Sequence, residues 1–184
     1  MKRVIFIVGE TGSGKDTVAG FLPYKKVISY TTRPMRTYEE DGKQHYFVSD
    51  YAMDDLVDNE DFIAYTKIGE YRYGAIFRDC DVDTMVYIID PKGIEWFKDH
   101  GPKNIEYITI LLHVPLIERM RRCRNRSDYT TNFMRRNKAE RDMFEDFMLS
   151  GDWDYIIRNH DAYQTAKSIR KLVELKFGEV EYDL

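Results

Sequence analysis

Residues 9–16 read GETGSGKD. A glycine, four residues and then Gly14-Lys15 is the spacing of a phosphate-binding loop, which a serine or threonine ordinarily completes. Glycines let successive backbone N–H groups turn toward phosphate oxygens. A helix that follows adds the positive end of its dipole, and Lys15 brings a cation to the outer phosphates. The candidate nucleotide-binding residues are therefore Gly9, Glu10, Thr11, Gly12, Ser13, Gly14, Lys15, Asp16 and Thr17. The last motif position departs from the pattern, because Asp16 stands where a hydroxyl is expected. A carboxylate is a hard oxygen donor, which makes Asp16 the candidate Mg²⁺ ligand. A dinucleotide-binding fingerprint would need a third glycine at Thr17, and it is absent.

A second group of residues suits the same chemistry. Arg33 and Arg36 are three apart in a segment that also holds Pro34 and Gly42, so it reads as a loop. Two guanidinium forks so spaced can grip one phosphate. Residues 119–126 read RMRRCRNR, with Arg122 and Arg126 one helical turn apart and Arg136 further on. Such cations can neutralise a phosphoryl group in transfer, a reaction that needs positioning and charge more than covalent chemistry. The plain alternative for this run is a solvated helix face. His100, His113 and His160 join no His/Cys/carboxylate cluster that would hold a catalytic metal. Trp96 and Trp153 read as packing residues.

These residues need a scaffold. The chain has 184 residues, 43% hydrophobic and 33% charged, enough for one globular domain. Its formal net charge of −4 argues against a general nucleic-acid binder. No apolar run is long enough to span a bilayer. Two cysteines without metal spacing and the lack of a leader-like start suit a reducing cytoplasm. Apolar runs at residues 3–8, 27–31, 85–89, 105–114 and 155–157 read as strands. Helical stretches alternate with them at 91–99, 116–123 and about 132–149, and Asp161 caps a last helix. This alternation implies a parallel sheet covered on both faces. Between the second and third strands, residues 45–48, 62–68 and 71–76 read as short strands, and residues 51–57 as a short helix. This part is an insertion that caps the ligand crevice.

Downstream of the loop the chain resembles guanylate kinase, a P-loop nucleoside monophosphate kinase family. The resemblance rests on SYTTRPMR (residues 29–36), Asp41-Gly42-Lys43, HYFVS (residues 45–49), Phe62-Ile63, Tyr73-Gly74, Asp90 and DYIIRN (residues 154–159). It implies an α/β P-loop fold with a parallel core sheet over about residues 1–32 and 80–184. It further implies a small mixed or antiparallel acceptor-binding lobe over about 33–79 and an arginine-bearing lid over about 119–136. The implied reaction is GMP + ATP → GDP + ADP, with Mg²⁺ accompanying ATP, in a monomer or homodimer. In that reading Arg33, Arg36 and Tyr73 grip the acceptor's phosphate, joined by His45 or Tyr46. Ser29 and Asp90 belong to the acceptor site, Asn159 lies beside the ATP base, and Arg122, Arg126 and Arg136 are the lid arginines.

Departures from the family pattern gather at the acceptor base. Ala64 stands where the family carries the glutamate that reads the guanine edge. Ile88 replaces an acidic residue, and Ala75 replaces a small hydroxyl residue. Glu60, Asp61, Glu70 and Asp90 are the nearby acids able to substitute. The alternatives are a kinase for another (deoxy)nucleoside monophosphate, or a binding module that has lost catalysis.

Overall fold

β1 (Lys2–Val8) sets the frame. Its residues Val4 to Val8 are fully buried. Val4, Phe6 and Val8 face one apolar cluster, while Ile5 and Ile7 face another. A strand with both faces covered reads as a continuous apolar run, because successive side chains point to opposite sides. Phe6 meets Phe97 edge-on at 4.9 Å, and its truncation to alanine would cost about 3–5 kcal/mol.

The computed structural model describes residues 1–36, 39–60, 62–76, 82–124 and 133–178. After β1 come α1 (Lys15–Gly20), β2 (Lys25–Lys26), β3 (Ser29–Thr31), β4 (His45–Phe47), α2 (Asp50–Asn59), β5 (Phe62–Ile68) and β6 (Tyr71–Ile76). There follow β7 (Thr84–Ile88), α3 (Pro91–His100), β8 (Ile105–His113), α4 (Leu116–Cys123), α5 (Met134–Ser150), β9 (Tyr155–Arg158) and α6 (Ala162–Phe177).

The core sheet runs β2-β7-β1-β8-β9, all parallel. On one face lie α3 and α5, through Ile94, Phe97, Phe144 and Phe147. On the other lie α1 and α6, through Val18, Ala19, Ala166, Ile169 and Val173. The order places β1 between β7 and β8, so the carboxyl ends of β1 and β7 open onto a crevice where connections diverge. A second sheet runs β4-β3-β6-β5, with β3 and β4 parallel and the other pairs antiparallel. Met53 of α2, Phe62 and Ile76 form its core. Trp96 packs against the cores of both sheets and Trp153 against the first, as expected.

Side-chain caps start α2, α3 and α6, the last at Asp161 as expected. Ser49 accepts from the Ala52 amide, Asp90 from the Gly93 amide and Asp161 from the Gln164 amide. Pro91 occupies the first turn of α3. One strand differs. In place of the expected single strand over residues 27–31 there are two shorter strands in two sheets, one of them preceding that range. Lys25 and Lys26 pair with Met85 and Val86 in the core sheet, whereas Ser29 to Thr31 pair in the second. A lysine pair carries no apolar signal, so only the residues after it look strand-like in sequence.

Candidate active site

The loop from β1 to α1 depends on two glycines with left-handed backbone, Gly12 (φ 84) and Gly14 (φ 88). Other residues adopt that conformation at a cost of about 1 kcal/mol or more. Cβ atoms there would also meet Cys123 Sγ at 2.9 Å and Asn159 Nδ2 at 2.8 Å. Lys15 Nζ donates to the Gly9 carbonyl at 2.5 Å, so its side chain spans the loop. Asp16 is exposed, with Lys26 Nζ 3.3 Å from its carboxylate.

Side chains from behind fasten this loop. Asn159, buried at 2% exposure, donates Nδ2–H to the Ser13 carbonyl at 2.7 Å and accepts from the Thr165 hydroxyl at 3.0 Å. Arg122 donates to the Asn159 carbonyl and to Glu118, both at 2.7 Å. Arg119 is 4% exposed and donates to Val114 O, Thr11 O, Asn137 Oδ1 and Glu10 Oε1. Burial raises the Glu10 carboxyl above its usual range, although Arg119 opposes the shift. The run beginning at residue 119 is therefore no uniform solvated face, because its first arginine is part of the loop's support. Arg126 lies outside the described residues.

On the acceptor side, a residue not anticipated from sequence organises the arginines. Glu39, 8% exposed, accepts a two-pronged fork from Arg33 at 2.9 Å and 2.9 Å. It also accepts the Arg36 amide at 2.9 Å, and the Arg36 guanidinium stands 3.6 Å away. Burial disfavours both charges, but the fork outweighs it. The Arg33 guanidinium holds its proton more tightly than usual, and the Glu39 carboxyl sits below its usual range. The regular spacing Arg33, Arg36, Glu39 was the only available signal.

His45 and Ser29 face each other across the parallel β3–β4 pair, with Ser29 Oγ 2.8 Å from His45 Nδ1. Burial, with Arg33 adding to it, pushes the His45 pKa down to about 4, so the ring is neutral near pH 7. Tyr46 points to the opposite side of the strand and packs against Tyr30 at 4.8 Å. Of the two alternatives, it is His45 that turns toward the cleft. Tyr73 meets the His45 ring edge-on at 5.9 Å.

One cleft of about 680 Å³ joins Thr11, Gly12, Gly14, Lys15, Asp16 and Thr17 to Ser29, Arg36, His45 and Arg136. Lys26 and Glu39 also line it. A smaller cavity of about 80 Å³ shares Ser29, His45, Tyr87 and Ile88 and extends to Ala64, Thr66, Tyr73 and Asp90. Glu60 and Glu70 do not line it, and Asp61 lies outside the described residues. Asp90 is its one carboxylate among the described residues, accepting from Gly93 N at 2.9 Å and Thr66 Oγ1 at 3.3 Å. Burial raises its pKa despite those hydrogen bonds. Gly9, Glu10, Ser13, Asn159, Arg33, Tyr46 and Arg122 are not among the residues lining either space.

Comparisons with known proteins identify the family and the fold. The family model described as guanylate kinase matches residues 1–176. A guanylate kinase of Rickettsia prowazekii is 30% identical over 92% of this chain and 89% of its own length. One of Prochlorococcus marinus subsp. pastoris is 27% identical over 95% of this chain and 98% of its own length. The crystal structure of guanylate kinase from Anaplasma phagocytophilum superposes with a TM-score of 0.67 at 21% identity, covering 97% of this chain and 88% of that one. Shikimate kinase from Acinetobacter baumannii, in complex with shikimate, shares the fold at a TM-score of 0.52 and 16% identity, over 97% of both chains. With a phosphate loop, a parallel core sheet and a family match over nearly its whole length, the chain belongs to the guanylate kinase family, a family of nucleoside monophosphate kinases.

Proposed function

We propose that this family member transfers the γ-phosphoryl group of ATP to GMP or dGMP, giving ADP and the nucleoside diphosphate. The observation that carries this reading is the single cleft in which Lys15 and the loop glycines share a lining with Ser29, Arg36, His45 and Arg136. Lys15 and the loop amides bind ATP's outer phosphates. Arg36, backed by the Arg33–Glu39 fork, binds the acceptor's phosphate, with Tyr73 and His45 alongside. Arg136 supplies the cation that offsets charge building on the transferring group. Intact loop glycines and lysine weigh against an inactive binding module.

The acceptor base faces Asp90, Thr66 and Ser29. Asp90 gives guanine's N1–H and amino group an acceptor that Ala64 lacks. The apolar Ala64 and Ile88 favour, as a second reading, a broader range of (deoxy)nucleoside monophosphates.

No cluster of three His, Cys, Asp or Glu side chains that could hold a metal occurs among the described residues. Asp16 is one exposed hard oxygen donor at the loop, which fits a Mg²⁺ ion held mostly by the nucleotide. Asp16 would hold such an ion beside the nucleotide, where it would supply positive charge to offset that of ATP's phosphates. We further propose a division into a core, an acceptor lobe over about residues 33–79 and a lid over about 119–136, acting in the cytoplasm as a monomer or homodimer without nucleic acid. None of the described helices is long and apolar enough to cross a membrane. The test is an ADP-release assay with each nucleoside monophosphate in turn. Turnover with GMP or dGMP is expected, and none with any acceptor would overturn the reading.

A further inference from the structure

We infer that Glu140 is a positioning residue, joining α5 to the phosphate loop and thereby fixing Arg136 over the cleft. The inference rests on the phosphoryl-transfer reading above. Thr11, at the third position of the loop, gives up all its polar groups to two helices. Its amide and hydroxyl both donate to Glu140, at 2.8 Å and 2.6 Å. Its carbonyl accepts from Arg119 of α4 at 3.2 Å. Arg119 then reaches α5 as well, donating to Asn137 Oδ1 at 2.9 Å.

The spacing on α5 gives this joint its meaning. Arg136 and Asn137 lie four and three residues before Glu140, so each is a neighbour of Glu140 on the helix surface. Asn137 and Glu140 grip the loop's support, and Arg136 beside them lines the cleft. A carboxylate beside a site for a polyanion is electrostatically unfavourable by itself. Here it is used on a backbone amide and a hydroxyl, and Arg119 lies on the far side of the same residue. Thr11 therefore turns no donor toward the nucleotide. The later loop amides and Lys15 meet the phosphates, while Thr11 anchors the helix that brings Arg136.

An interaction that places a group acting on the transition state should appear in kcat rather than in either KM. Steady-state kinetics with ATP and GMP would compare the parent chain with Glu140→Ala, Thr11→Val, the double variant and Glu140→Gln, alongside thermal midpoints. Glu140→Ala and Thr11→Val should each lower kcat about tenfold, as expected for a lost charge-assisted hydrogen bond, with both KM values within about threefold. The double variant should be no worse than the worse single one, because both remove one joint. Glutamine can accept from the amide and donate to the hydroxyl, so Glu140→Gln should restore most of kcat. Unchanged kcat, additive losses, or a lower KM for ATP in Glu140→Ala would overturn the inference. The last result would mean that the carboxylate competes with nucleotide. If Glu140→Ala does not fold, Thr11→Val and Glu140→Gln still decide the matter. A parent chain that transfers no phosphoryl group would instead refute the kinase reading.

Discussion

Ser29 Oγ and His45 Nδ1 lie 2.8 Å apart, as register partners on two parallel strands. Partial burial, with the Arg33 guanidinium adding to it, keeps this histidine uncharged near pH 7. The folded-state pKa is about 4, against an ordinary 6.5. Between those values the unfolded chain binds the extra proton and the folded chain does not, so stability rises with pH across that window. Acidification from 6.5 to 4 should remove up to about 3 kcal/mol through this group. Denaturant titrations at several pH values would show a shallower slope for His45→Gln. An identical slope would mean that the ring titrates normally.

Lys15→Ala should abolish phosphoryl transfer while the thermal midpoint stays within a few degrees. The lysine spans the loop from its Nζ to the Gly9 carbonyl, and in the proposed reaction it is the loop's one cationic side chain near the transferring group. Turnover and a melting curve on the same preparation check this. Activity within tenfold of the parent would contradict the role.

Arg36→Ala should raise the acceptor's KM by about ten- to a hundredfold, the worth of a charge-assisted hydrogen bond of roughly 1.5–3 kcal/mol. The KM for ATP should barely move. A change in the ATP constant alone would reverse the assignment of the two halves of the cleft.

Glu39→Gln should damage both binding and stability. It leaves the Arg33 guanidinium, 11% exposed, without its forked partner. Removing one member of a buried ion pair costs about 3–5 kcal/mol. Urea midpoints and the acceptor's KM should shift together, whereas a stability loss with unchanged acceptor binding would make Glu39 purely structural.

Selectivity for guanine should be weaker by about ten- to a hundredfold than a carboxylate at position 64 would give. Asp90→Asn should weaken it further, and Ala64→Glu should strengthen it. A panel of ribo- and deoxynucleoside monophosphates, compared by kcat/KM, measures this. A preference for GMP above about a thousandfold in the parent chain would mean that Asp90 and Thr66 suffice to read the base.

What was legible in the sequence was contiguous. The phosphate loop occupies consecutive residues, and β1, β7 and β8 are predominantly apolar stretches, so their types declare their places. What was not legible depends on partners brought together by folding. Arg119 looks like one cation in a row until Glu10, Thr11 and Asn137 surround it. Glu140 is an ordinary helix residue until Thr11 meets it. Residues 45 and 46 could be told apart only once the β3–β4 register set which of the two faces Ser29.

The shortness of β2 has a consequence for how these molecules behave in a crowd. It is the outermost strand on its side of the core sheet, two residues long, and both are lysines. An unpaired strand margin is a template on which a neighbouring chain can add its own strand. Here the template ends almost before it begins, and any second copy brought alongside would set two more ammonium groups against these. The same residues that hid the strand from a pattern of apolar alternation thus protect the sheet from growing into an aggregate.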